Sequence, residues 1–229
     1  MVLSSNEKCV TPNVKRLAVR FFTVGPKQSA SDRPIQTKGP DVEKLQTTAT
    51  VLIVPGLRDH VPEHWQTLLQ ARLAKVRSVP PLETDKLNCA ARVEAIQREL
   101  SAIQGPVILV AHSAGVLMVA HWAARHQHAI KGALLAAPPD LEANWPQGYP
   151  TPESLRENGW APLPTRPLPF PSIVAASSND HLASATAVAR MAAQWGSELV
   201  ELGAVGHLNP ASGFGPWPFA EELIQQLDR

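Results

Sequence analysis

Excess charge of either sign is missing from this 229-residue chain: 21 Lys and Arg stand against 20 Asp and Glu, a formal net charge of +1. With no one-signed field to attract a polyanion, nucleic acid is not an expected partner. Cysteine is nearly absent. Cys9 and Cys89 build no disulfide framework and have no metal-ligand spacing. The chain therefore reads as a cytoplasmic protein of a reducing compartment that needs no metal and no cofactor. Long apolar runs are also lacking, with one borderline case. Residues 107–124 carry no Asp, Glu, Lys or Arg, near the lower limit for a membrane span. His112, Ser113 and His121 interrupt that run, Gly105-Pro106 precedes it and no second candidate exists. A buried strand followed by a packed helix explains the same residues, so no membrane is expected as a partner.

What is present is ordinary globular composition, 44% hydrophobic and 18% charged, at a length that supports one large domain with a real core. Residues 1–48 differ, being rich in Ser, Thr, Pro and Gln, with eight Lys and Arg against four Asp and Glu. This extension is expected to be poorly ordered, leaving residues 49–229 as the body. Within it, residues 14–24 (VKRLAVRFFTV) read as an edge strand or an amphipathic segment and lack the apolar length of a signal-peptide core.

From residue 50 the pattern alternates. Apolar strands are expected at Thr50–Val54, 77–82, 107–112, 133–137, 172–177 and 198–202. Helices are expected over 62–75, 88–103, 116–125, 183–195 and 218–227. Strands separated by helices predict an α/β fold with a mostly parallel sheet covered on both faces. The Pro-rich residues 138–171, with ten prolines, are too short and too broken for a large cap domain.

The organising stretch is Val107-Ile108-Leu109-Val110-Ala111-His112-Ser113-Ala114-Gly115, a strand that turns sharply into a helix at a Ser. A single tight residue at such a junction is strained and holds its side chain at the sheet edge, the geometry of a nucleophile elbow. Close passage of the two backbones requires small neighbours, here Ala111 and Gly115, with Ala departing from the usual G-x-S-x-G. The alternative is a simple helix N-cap.

In open α/β sheets chemistry gathers where strands end at their carboxyl side. Ser113 follows the central strand, Asp180 follows residues 172–177 and His207 follows the last strand, the chain order Ser, Asp, His of an α/β-hydrolase. In that reading His207 relays the proton of Ser113 and Asp180 fixes its tautomer, while the amides of Leu57 and Ala114 form the oxyanion hole. A rival pattern, His60-Val61-Pro62-Glu63-His64, spells the inverted zincin motif. Pro62 places a helix start between its two His, so they do not share a helical face and no zinc is expected. His64 and Trp65 are expected to pack beside the oxyanion loop, His112 to point away from Ser113, and His121, His126 and His128 to lie on helix surfaces or ends.

These residues resemble the small serine hydrolases related to retinoblastoma-binding protein and the bacterial YdeN-like proteins, a compact branch of the α/β-hydrolases. The likeness spans about residues 50–228. It rests on Val54-Pro55-Gly56 followed by His64-Trp65, on His112-Ser113-Ala114-Gly115, on Ser177-Ser178-Asn179-Asp180, and on Gly206-His207-Leu208-Asn209 followed by Gly215-Pro216-Trp217-Pro218. It implies an α/β-hydrolase fold and a triad of Ser113, Asp180 and His207 acting on small acyl esters or amides. Two departures matter. Arg58-Asp59 occupies a loop that is often Gly-rich in relatives, and the Leu-x-Cys-x-Glu docking motif is absent, because Leu87-Asn88-Cys89 continues into Ala90-Ala91. For substrate binding the expected residues are Arg58, with Trp145, Tyr149, Trp160 and Phe170 from the Pro-rich segment and Phe214 and Trp217 opposite. Two functions follow: a carboxylesterase-like serine hydrolase, or a catalytically weak hydrolase fold used for binding. The sequence leaves the acyl preference and oligomeric state open.

Overall fold

The computed structural model describes residues 43–229. Residues 14–24, and most of the extension expected to be poorly ordered, lie outside the described residues. In chain order the elements are β1 (Thr50–Val54), α1 (Trp65–Arg72), β2 (Val76–Ser78), α2 (Cys89–Ser101), β3 (Val107–His112), α3 (Ala114–Ala123), β4 (Ile130–Ala136), α4 (Pro152–Glu157), β5 (Ser172–Ala176), α5 (Ala185–Trp195), β6 (Glu198–Glu201) and α6 (Phe219–Leu227). The strands form one sheet in the order β2-β1-β3-β4-β5-β6, every neighbouring pair parallel.

Continuous apolar runs become strands here because both faces of the sheet are covered. Along β1, Leu52 and Val54 enter one core with Val93 and Ile96 of α2, Leu117 of α3 and Met191 of α5. Val51 and Ile53 enter the other with Trp65 and Leu69 of α1 and Leu223 and Ile224 of α6. Each such side chain, fully buried, contributes roughly 1.5–3 kcal/mol relative to exposure. β3 is buried at every position, and the apolar run that borders on membrane-span length divides into this strand and α3. Among the described residues no helix is long and apolar enough to cross a membrane.

Several boundaries differ from expectation for local reasons. The strand expected over 77–82 is only Val76–Ser78, since Pro80 and Pro81 follow Val79 and have no N–H to donate. The helix expected from residue 62 begins at Trp65, capped by His64, whose Nδ1 accepts from the Gln66 amide. α4 lies outside the expected helices. Thr151 caps it and Pro152 stands at its start, a combination that marks a helix N-terminus even inside a Pro-rich segment.

The folded body also begins before residue 49. Leu45 forms a parallel bridge with Leu73, and its N–H donates to the Arg72 carbonyl at 2.8 Å. Beside it the Asp228 carboxylate accepts from the Thr48 amide at 2.6 Å, the Thr48 hydroxyl at 2.7 Å and the Ala49 amide at 3.2 Å, while Lys131 donates to it at 3.1 Å. Burial alone would raise this carboxyl, but the hydrogen bonds from Thr48 and Lys131 outweigh it and hold Asp228 below the usual carboxylate range. A depressed carboxyl stabilises the fold above its unfolded pKa, ~3.9, and loses that contribution as pH falls through the folded value. Asp228→Asn is therefore expected to lower stability at pH 7 and to match the wild type more closely at strongly acidic pH, measured by urea unfolding. An equal gap at both pH values would contradict this reading.

Candidate active site

β3 delivers Ser113 to the carboxyl edge of the sheet in a backbone conformation that L-residues rarely adopt, φ 57° and ψ −130°. Such strain costs on the order of 1–3 kcal/mol and persists only where the surroundings impose it. Here they do. The Ser113 N–H donates to Ala136 at 3.0 Å, and α3 starts so close to the end of β1 that a Cβ on Gly115 would lie 2.4 Å from the Val54 carbonyl oxygen and 2.7 Å from that of Pro55. Only glycine fits there. At the other flanking position Ala111 fits, fully buried. The Ser113 hydroxyl does not cap α3, so the N-cap alternative fails.

The hydroxyl is turned instead to His207, with Oγ 2.8 Å from Nε2, and Nδ1 of the same ring lies 2.7 Å from Asp180 Oδ2. A carboxylate only accepts, so Nδ1 carries the ring proton and Nε2 is free to accept from Ser113. The Asp180 and His207 side chains are 2% and 3% exposed. Asp180 is further held by the Leu182 amide, which donates to its other oxygen at 2.9 Å.

The loops carrying Asp180 and His207 are laced together by residues whose roles the sequence did not disclose. Asn179 Oδ1 accepts from the Gly206 amide at 2.7 Å and from the Ser177 hydroxyl at 3.0 Å, and Ser177 in turn accepts from the Val205 amide at 3.2 Å. Ser212 accepts from the His207 amide at 3.1 Å and crowds Gly206, which adopts φ +61° and would bring a Cβ to 2.4 Å from that of Ser212. Gln66, buried, donates to the carbonyls of Val54 and Val110 and so clasps the ends of β1 and β3.

Histidines surround the site. His112 reaches the backbone of His207, donating from Nε2 to its carbonyl at 2.9 Å, and its ring meets that of His64 edge-on at 4.5 Å. Burial first, then the positive potential of His207 and His60, pushes His64 down to about 4. Burial pushes His112 well below its ordinary value, with a smaller contribution from His207 and His64. Both rings are therefore neutral near pH 7, and their electrostatic influence on His207 is that of dipoles. His121, expected on a helix surface, is buried and donates to the Trp160 carbonyl at 3.0 Å, because α3 is packed on all sides. The His60–His64 stretch lies in the loop before α1, with His60 bonded to Ser78 at 2.8 Å and His64 serving as a cap, so its two rings share no helical face.

Ser113 and His207 open onto a cavity of about 470 Å³, also lined by Leu57 and Ala114. Of the residues expected to bind substrate, Arg58, Trp145 and Tyr149 line it. Phe214 and Trp217 do not. Trp217 packs edge-on against Trp65 at 4.8 Å, with Phe214 behind it at 6.2 Å, both half-buried against the core on the α1 and α6 side of the sheet. Trp160 is fully buried with its indole N–H on the Leu87 carbonyl, and Phe170 packs near Trp122. The burial gained by these rings in the core outweighs anything a solvent-facing pocket wall offers.

A parallel six-stranded sheet that presents a strained Ser after β3, an Asp after β5 and a His after β6 is an α/β-hydrolase fold, and among the described residues no large cap covers it. Residues 51–226 match the sequence profile of the family described as serine hydrolase, and the chain belongs to that family. A YdeN-like hydrolase from Pectobacterium atrosepticum is 33% identical, superposes with a TM-score of 0.68, and covers 79% of this chain and 90% of its own. The ydeN gene product of B. subtilis is 20% identical with a TM-score of 0.62, over 79% of this chain and 98% of that one. Est1E from Butyrivibrio proteoclasticus shares the fold at 14% identity and a TM-score of 0.58, over 82% and 90%. No curated protein matches the chain in sequence.

The low value at His64 has a consequence for stability. Below ~6.5 an unfolded imidazole binds a proton that folded His64 refuses, so stability falls as pH drops from there to about 4. His64→Asn keeps a capping acceptor and removes the titrating ring. It is expected to flatten the dependence of unfolding free energy on pH in that window by about one proton; an unaltered slope would assign the proton uptake elsewhere.

Proposed function

We propose that this serine hydrolase cleaves small acyl esters through an acyl-enzyme formed on Ser113, with His207 and Asp180 completing the triad. The observation that carries the reading is the hydrogen-bonded chain from Ser113 Oγ through His207 to Asp180, opening onto the cavity at its serine end. In the first half-reaction His207 takes the hydroxyl proton as Ser113 attacks the acyl carbon. The developing oxyanion is met by the Leu57 and Ala114 amides, each such donor lowering the barrier by about 3 kcal/mol. Collapse breaks the bond to the alcohol, which leaves with the proton from His207. Water then repeats the sequence to release the acid and restore Ser113. Asp180 holds the tautomer and stabilises the imidazolium without itself taking a proton.

The acyl group is assigned to the apolar part of the cavity, where Leu87, Trp145 and Leu182 contribute wall, with Arg58 above the Tyr149 ring at 5.4 Å near the exposed side. The cavity lies in the range that encloses small-molecule ligands. The alternative, a non-catalytic binding role, draws on the charged Arg58-Asp59 pair in the oxyanion loop and on the basic extension of residues 1–48. Asp59 is instead ion-paired with Arg92 at 3.2 Å, and Leu57 and Ala114 both line the cavity beside Ser113, which supports turnover.

A fluorophosphonate probe is expected to label the wild type and to leave Ser113→Ala unlabelled. Across p-nitrophenyl esters of increasing acyl length, His207→Ala should lose on the order of 10⁶-fold in kcat and Asp180→Asn roughly 10⁴-fold. A folded wild type that neither labels nor turns over any ester, thioester or amide would sink the proposal.

A further inference from the structure

Arg92 lies in the first turns of α2, where its spacing gives no hint of function, yet it is only 5% exposed. Burying a guanidinium is costly unless its donors are used, and these are spent on two separate segments. Nε donates to the Lys86 carbonyl at 2.5 Å, Nη1 to Asp59 Oδ1 at 3.2 Å, and Nη2 makes a longer contact of 3.5 Å to the Leu57 carbonyl. The last two partners flank Arg58 in the loop that follows β1.

That loop is a tight turn. The Asp59 N–H donates back to the Gly56 carbonyl at 3.1 Å, and Asp59 takes φ +54°, a left-handed conformation unfavourable without support. In a trans peptide the carbonyl and the N–H point in opposite directions. Holding the Gly56 carbonyl toward Asp59 therefore sends the Leu57 N–H to the other side of the turn. Gly56 itself is packed on the nucleophile: a Cβ there would lie 3.2 Å from Ser113 Cβ and 3.6 Å from Oγ. Asp59 also lines the cavity, where an uncompensated carboxylate would oppose negative charge developing on the substrate.

From this we infer that Arg92 is a positioning residue for the oxyanion loop. Its guanidinium holds the turn 56–59 in the shape that aims the Leu57 amide and cancels the Asp59 charge beside the developing oxyanion. The inference rests on the serine-hydrolase reading above and extends it to a residue that touches no substrate.

The test compares wild type, Arg92→Met and Arg92→Lys on a neutral p-nitrophenyl ester, with phenylboronic acid as a probe whose tetrahedral Ser113 adduct places an oxygen in the hole. Arg92→Met is expected to lose about tenfold or more in kcat, a fraction of what deleting an oxyanion donor costs, with KM within about twofold of wild type. Boronate inhibition should weaken in parallel. Arg92→Lys keeps the charge beside Asp59 and should recover most of the loss. A purely structural role would instead lower thermal stability without this split between kcat and KM and without the parallel loss of boronate binding. Should Arg92→Met fail to fold, Arg92→Gln, which keeps an amide donor but loses the charge beside Asp59, is read for the same split. Unchanged kcat and boronate affinity in the folded variants overturn the inference while leaving the wild-type mechanism intact. A wild type without ester turnover overturns both.

Discussion

The arrangement depends on one close approach: the backbone at the start of α3 meets the carbonyls of Val54 and Pro55 with no side chain between them. Gly115 permits that contact, and from it follow the abrupt exit from β3, the strained Ser113 and the placement of its hydroxyl above the sheet rather than on the helix that it precedes. The same contact sets the loop after β1 beside Ser113, so that Gly56 and Leu57 are its neighbours. A methyl group at position 115 would push these segments apart and undo several features together.

Around that junction the structure relies on hydrogen bonds between loops more than on additional core. Gln66 clasps the ends of β1 and β3, Asn179 and Ser177 join the Asp180 loop to the His207 loop, and His112 holds the His207 carbonyl. Gln66, Ser177 and His112 are buried and Asn179 is exposed, and each bonds backbone groups at or beyond strand ends. Three polar side chains from three separate strand ends are thereby brought into a single line of hydrogen bonds. The cost is a set of buried polar groups whose geometry must be kept.

Much of this was legible in the sequence because apolar strands are continuous and the polar residue ending each one stands out. Ser113, Asp180 and His207 could be placed at strand ends from that pattern alone, and the alternation of strands and helices indicated the parallel sheet. Direction around a helix and the path of a loop were harder to read. The polarity of His121 points to a surface, but its helix has no polar face and is packed all round, and Phe214 and Trp217 follow a turn at Gly213 that lays them half-buried against the core beside Trp65. Arg92 has the spacing of an ordinary helical arginine; only the folded position of the Gly56–Asp59 turn, more than thirty residues earlier, shows what it touches. Leu45 pairs with Leu73 through a single bridge too brief to leave a pattern.

Part of the cavity wall comes from residues 139–150, between β4 and α4, which contribute Pro139, Trp145, Tyr149 and Pro150 while forming no rung of the sheet. Proline restricts that wall through its own ring geometry, so its shape is not borrowed from strand pairing. Recognition and framework are thus separable inheritances: the wall can be recut for another ligand without disturbing the strands that hold Ser113, Asp180 and His207. A lineage built on this chain can explore new substrates while its reaction chemistry stays in place.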